Sequence, residues 1–270
     1  MSCAPTAAER DLVEEKSRAF TDDAVLGGRL ILRQPARGHR VGHDAILLAA
    51  STAAHPGEIA VDLGAGVGAA GLALALRVPG LAVRLVEIDP ELAALSAENA
   101  ARNSLATRAS AHALDVAAPP SDFAAAGMAP GSADRVLMNP PFHDATREQA
   151  SRDARRSLAY VARPGTLALW IGTAARLLRA GGTLTLIHRA DALPELIGAL
   201  AHDFGAVAVQ PVHPKPAAPA IRLLMRAVKG ARTPLTLLPA LVLNGEDGRP
   251  AAEAEAVLRG PVTLPLAQIT

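Results

Sequence analysis

An α/β fold around a mostly parallel sheet is what this 270-residue chain predicts, on three observations. From Glu58 onward, short apolar runs alternate with amphipathic stretches in the rhythm of strand, helix, strand. The first of those strands runs directly into a glycine-rich turn. The last two strands are joined by too few residues for a crossover helix, which imposes an antiparallel hairpin.

Taken in order, residues 1–28 read as a polar leader ending in Gly27-Gly28, and Arg29 to Gln34 as a short strand. The turn-rich stretch from Gly38 to Asp44 leads into an apolar helix over 45–54, stopped by Pro56-Gly57. The core strands are expected at 59–63, 82–87, 109–113, 134–138 and 182–187, with helices at 67–77, 90–102, 166–179 and 191–203. The closing hairpin is expected at 205–210 and 220–228, around the loop Pro211-Val212-His213-Pro214-Lys215-Pro216. The stretch from Pro119 to Gly131 looks like a surface loop, and a short alanine-rich helix is expected near 251–259. The organisation is therefore a leader (1–28), a strand and helix extension (29–58), a main α/β domain (59–229) and a C-terminal extension packed on it (230–270).

At 50% hydrophobic residues the chain can bury a large core, yet no run reaches the roughly 18 apolar residues of a membrane span. The N-terminus lacks the basic start and apolar run of a secretory signal, so the expected location is the cytoplasm. A single cysteine, Cys3, excludes an internal disulfide and a cysteine-built metal site. A net charge of +1 means that any polyanion contact must come from a local patch.

The first core strand, ending Ala60-Val61-Asp62-Leu63, meets Gly64-Ala65-Gly66-Val67-Gly68. Glycines let the backbone turn sharply and approach a ligand. The pattern Gly66-Val67-Gly68-Ala69-Ala70-Gly71 alone suits either NAD or S-adenosylmethionine. Asp62 separates them, because a carboxylate there suits the methionine part of a methyl donor and would repel a pyrophosphate. Glu87 ends the second strand, where a carboxylate can accept both ribose hydroxyls, while Asp89 before Pro90 reads as a helix N-cap. Asp115, after the third strand, can accept from the donor's adenine amino group. Five parallel strands closed by a hairpin likewise favour a Rossmann-like methyltransferase sheet over a dehydrogenase.

The fourth strand ends in Asn139-Pro140-Pro141-Phe142. Two prolines stiffen the backbone so that the Asn139 side-chain carbonyl and the Pro140 main-chain carbonyl can point at one amino group. A planar amine is a poor nucleophile; two acceptors on its hydrogens favour a pyramidal nitrogen and aim its lone pair at the methyl carbon. Phe142 supplies a face on which a planar substrate stacks. No metal and no separate base is required. The following segment carries Arg147, Arg152, Arg155, Arg156 and Arg163 among Asp144, Glu148 and Asp153, and reads either as a salt-bridged helix or as a flap on substrate phosphates. Lys215, Arg222 and Arg226 near the last hairpin carry a weaker suggestion of the same kind, and His143 reads as a solvent-facing loop residue.

With these residues in view, the chain resembles the bacterial tRNA adenine-N6-methyltransferases that modify the adenine next to the anticodon of a valine tRNA. The resemblance rests on Asp62 to Gly68, on Asn139 to Phe142, and on Gln34 followed by Gly38-His39-Arg40-Val41-Gly42-His43-Asp44-Ala45-Ile46-Leu47-Leu48. It implies S-adenosylmethionine as donor, tRNA as partner, and Asp44 as a residue that helps to enclose the donor. Within the same chemistry, a glutamine-N5 methyltransferase acting on a release factor or ribosomal protein and a guanine-N2 ribosomal RNA methyltransferase stay open. Outside it, an NAD(P)-dependent oxidoreductase would leave Asn139 to Phe142 idle, and a non-catalytic RNA-binding module is disfavoured by an aromatic content of 2%.

Overall fold

The structure, a computed structural model, describes residues 20–37, 40–141 and 165–269. It opens with an antiparallel hairpin of β1 (Phe20–Val25) and β2 (Leu30–Pro35), followed by helix α1 (His43–Ser51). The expected 1–28 leader therefore contains a strand in its described part. Thr21, Asp22 and Asp23 hid it, because they give β1 no apolar alternation of its own.

The α/β core alternates as expected: β3 (Ile59–Leu63), α2 (Ala69–Arg77), β4 (Ala82–Glu87), α3 (Pro90–Arg102) and β5 (Ala109–Ala113). Then come α4 (Pro120–Ala125), β6 (Ala133–Met138), α5 (Thr166–Leu177), β7 (Leu178–Arg189) and α6 (Leu193–Leu200). The chain continues through β8 (Phe204–His213), β9 (Arg222–Lys229), β10 (Thr236–Leu237), β11 (Leu241–Val242) and α7 (Ala252–Arg259). Helix α4 corrects the expectation of a surface loop over 119–131. Phe123 on it is fully buried and stacks against the Arg176 guanidinium, so this alanine-rich turn closes one end of the core.

The sheet runs in the order β10-β8-β9-β7-β6-β3-β4-β5, with β11 also paired to β8. Strands β5, β4, β3, β6 and β7 are parallel. The hairpin is present, but it does not hang from the sheet end in chain order. Strand β9 inserts between β7 and β8, antiparallel to both. Strand β8 thus runs with the five parallel strands, and β10 and β11 pair along its outer side and blunt that edge.

One face of the sheet packs beneath α1, α2, α3, α7 and the hairpin, around Leu32, Leu47, Leu72 and Leu137. The other packs beneath α4, α5 and α6, around Phe123, Ile171, Leu184 and Leu196. The β1–β2 hairpin is fastened by amide side chains that imitate a strand. Asn103 Oδ1 accepts from Ile31 N at 2.9 Å, and Asn99 Oδ1 from Arg33 N at 2.7 Å. Their Nδ2 groups return hydrogen bonds to Ile31 O and Arg33 O at 2.8 and 3.0 Å. The edge of β2 is satisfied in this way without a further strand.

Candidate active site

The site lies where β3, β4 and β6 end side by side. Leu63 pairs in register with both Val86 and Met138, so the next residues, Gly64, Glu87 and Asn139, are neighbours at the carboxyl edge of the sheet. This is the edge at which open α/β sheets bind ligands.

The glycine loop is held from several sides. Gly64, Gly66 and Gly68 have φ of 72°, 56° and 90°, a conformation that disfavours any side chain. The N–H groups of Gly64 and Ala65 both reach Val86 O, at 2.8 and 2.9 Å. Glu87 Oε2 accepts from Gly66 N at 2.8 Å, and Glu87 Oε1 from Asp89 N at 3.0 Å. Asn99, the residue that fastens the hairpin, also donates to Val67 O at 3.0 Å. Asp89 caps α3 as expected, accepting from Glu91 N and Leu92 N.

Asp62 is buried and its Oδ2 accepts from Gly71 N at 2.8 Å. Burial pushes its pKa up to about 7, the Gly71 hydrogen bond opposes the rise, and the charge of Glu87 adds to it. Gly71 is required where it is, because an added Cβ would strike Leu85 and lie 3.0 Å from Asp62 Oδ2. Helix α2 can thus approach the sheet closely enough to be tied to it.

These residues fit a nucleoside methyl donor. An added Cβ on Gly66 would meet nothing within 4 Å, so the loop presents an open backbone face, with the two buried carboxylates beside it. Backbone donors on both oxygens of Glu87 hold its carboxylate in place beside the loop. Asp115 stands two residues beyond β5, exposed, with Oδ1 accepting from Ala117 N at 2.8 Å.

On the reacting side, Asn139 Oδ1 is buried and has no hydrogen-bond partner among the described residues. Leaving such an acceptor unmade costs about 1–3 kcal/mol, so its position calls for a donor from a bound molecule. Pro140 is buried and Pro141 half-buried beside it. Phe142, Arg147, Arg152, Arg155, Arg156 and Arg163 lie outside the described residues.

Three further candidate residues lie at or beside the β8–β9 hairpin. Asp44 Oδ2 accepts from Arg222 Nε at 2.8 Å, at the start of β9. Three strand spacings, roughly 14 Å, separate β9 from β3. Asp44 is therefore tied to β9, a strand whose place the sequence did not reveal. Arg226 is buried within the sheet, which removes it as a phosphate contact. Lys215 is exposed in the β8–β9 loop, at the carboxyl end of β8 and so on the same edge of the sheet as the site.

One residue was missed. Trp170, on α5, rests against the first glycine: a Cβ on Gly64 would lie 2.5 Å from its Cη2. It is the chain's single tryptophan, in a sequence with four phenylalanines and one tyrosine, and that scarcity was the available signal. Among the described residues no group of three or more His, Cys, Asp or Glu is placed to hold a metal, and no helix is long and apolar enough to cross a membrane.

The sheet order and the pinned glycine loop at its carboxyl edge are those of an S-adenosylmethionine-dependent methyltransferase with a Rossmann-like fold. The chain belongs to the methyltransferase small domain family, whose model matches residues 40–212. It is 35% identical over 137 residues to the release factor glutamine methyltransferase of Bifidobacterium longum, a match that spans 47% of this chain and 46% of that protein, so this chain matches about half the relative's length. Among solved structures it is similar to a predicted O-methyltransferase from Agrobacterium tumefaciens, at 28% identity over 82% of this chain and 98% of the other, with a TM-score of 0.69. It shares the fold of P. horikoshii TYW2 in complex with MeSAdo, at 17% identity over 79% and 73% of the two chains, with a TM-score of 0.54.

Proposed function

We propose that this protein methylates the N6 amino group of adenine in tRNA. The observation that carries the reading is the buried Asn139 Oδ1 beside Gly64, without a hydrogen-bond partner among the described residues. An acceptor held there suits the hydrogens of a planar amine and draws them out of conjugation as the nitrogen becomes nucleophilic. S-adenosylmethionine supplies an electrophilic methyl group on a sulfonium. Asn139 and the Pro140 carbonyl orient the amine, and the rigid prolines hold both acceptors still. No residue has to remove a proton before attack, because the positively charged product nitrogen loses it to water.

Adenine is favoured by the segment ahead of β3. Gln34 is buried there, with Oε1 accepting from Val41 N at 2.9 Å and Nε2 donating to Asp23 Oδ2 at 2.6 Å. It thus organises the stretch, leading to Asp44, in which the resemblance to tRNA adenine-N6 enzymes is most discriminating.

A second reading, methylation of a glutamine side chain in a release factor, is favoured by the 35% identity to the Bifidobacterium longum enzyme. A primary amide has the same planar nitrogen and the same need for two acceptors. Transfer of labelled methyl to unmodified total tRNA and to release factor in parallel separates the two. N6-methyladenosine in digested tRNA supports the proposal; label in the release factor alone replaces it with the second reading.

A further inference from the structure

Beyond Asn139 the sheet continues into two arginines. Met138 pairs with Leu186, so Asn139 stands level with Ile187, and Arg189 lies two residues, about 7 Å, further along β7. Arg189 pairs directly with Arg222 on β9. Strand alternation puts both on the face of Leu137, and hence of Asn139 two residues on. Each guanidinium has a carboxylate companion. Arg189 Nε donates to Asp191 Oδ1 at 3.0 Å, and Arg222 Nε to Asp44 Oδ2 at 2.8 Å. Like charges directly opposite on paired strands are unfavourable unless something compensates them.

We propose that Arg189 and Arg222 are the seat for the substrate's backbone phosphates, with Asp191 and Asp44 as counterions that a phosphate displaces or joins. This rests on the nucleic-acid reading of the site. Both pairs are partly exposed, with side-chain exposures of 37% and 63% for Arg189 and Asp191 and 25% and 27% for Arg222 and Asp44. Asp191 holds Arg189 through both of its carboxylate oxygens, and both pairs are open enough to solvent for an arriving phosphate to compete for the guanidinium. A phosphate matches the planar guanidinium fork at least as well as a carboxylate. The seat is close enough to Asn139 to hold the chain flanking a base whose amino group is bound there. The acids, meanwhile, keep two adjacent cations folded and aimed when no polyanion is present.

The test is equilibrium binding of unmodified total tRNA over a series of salt concentrations. Arg189→Met and Arg222→Met should each lower the slope of log affinity against log salt by roughly 0.7–0.9, the value for one lost phosphate contact. Arg189→Lys should restore most of the slope. Asp191→Asn should tighten tRNA binding by up to about five-fold, because it removes a competing, partly exposed pair. Donor affinity and thermal midpoint, read on each variant, should stay level for Arg189→Met. Unchanged slopes in both methionine variants, or weaker binding by Asp191→Asn, would overturn the proposal. A wild-type protein that ignores tRNA and methylates release factor contradicts the nucleic-acid reading itself. Wild-type binding with unchanged variant slopes contradicts only the phosphate seat.

Discussion

Asp62 Oδ2 accepts the Gly71 N–H at 2.8 Å, which ties the end of β3 to the first turn of α2 through a buried carboxyl. Burial raises its pKa to about 7 from an unfolded value near 3.8. The folded protein therefore keeps a proton on Asp62 between those values, where the unfolded chain has lost it. The stability contributed by this group is complete below about pH 4 and is lost as pH rises toward 7. Asp62→Asn keeps an acceptor for Gly71 and does not titrate. Urea denaturation from pH 4.5 to 8 should show wild type losing stability relative to Asp62→Asn as pH rises; a constant difference would contradict the burial argument.

Gly64 and Gly66 both have positive φ but differ in surroundings. Gly64→Ala must displace Trp170 as well as adopt the left-handed conformation, whereas Gly66→Ala meets open space. Thermal or urea unfolding should show Gly66→Ala costing about 1–2 kcal/mol and Gly64→Ala visibly more, by a further ~1–3 kcal/mol of overpacking. Pairing Gly64→Ala with Trp170→Leu should recover part of the loss.

Glu87 accepts from Gly66 N and Asp89 N, so it shapes the loop in which a donor is expected to bind. Losing a hydrogen bond to a charged acceptor costs about 1.5–3 kcal/mol. Glu87→Ala should weaken donor binding at least roughly ten-fold by calorimetry, with Glu87→Gln intermediate. An unchanged affinity would remove Glu87 from the site.

Phe123 is fully buried between α4 and the core, and Arg176 covers its ring. Phe123→Ala should lower unfolding free energy by about 3–5 kcal/mol in urea titrations, with donor affinity unchanged in the folded fraction. A surface-loop position would show almost no change.

The parallel core was legible because β3, β4 and β6 are apolar runs bounded by turns, and α2 and α3 carry helical periodicity between them. Strand β1 was not, since its charged residues are paired by Arg40 and Arg102, contacts that only the folded chain creates. The place of β9 was hidden for a related reason: a short loop dictates antiparallel pairing with β8 but not which side of β8 is taken. In the candidate site, the placing of Asp62, Glu87 and Asn139 side by side could be read from their positions at strand ends. Trp170, Arg189 and the partner of Asp44 depend on which strands and helices become neighbours, and no local pattern carries that.

Asn139, as the acceptor that activates an amine, is the residue on which the proposed reaction most directly depends. Single-turnover methyl transfer by wild type and Asn139→Ala, with donor affinity measured in parallel, tests it. Donor binding should be retained while the transfer rate falls about 10²–10³-fold, the scale for a lost transition-state hydrogen bond. Transfer that continues undiminished in Asn139→Ala would contradict the account.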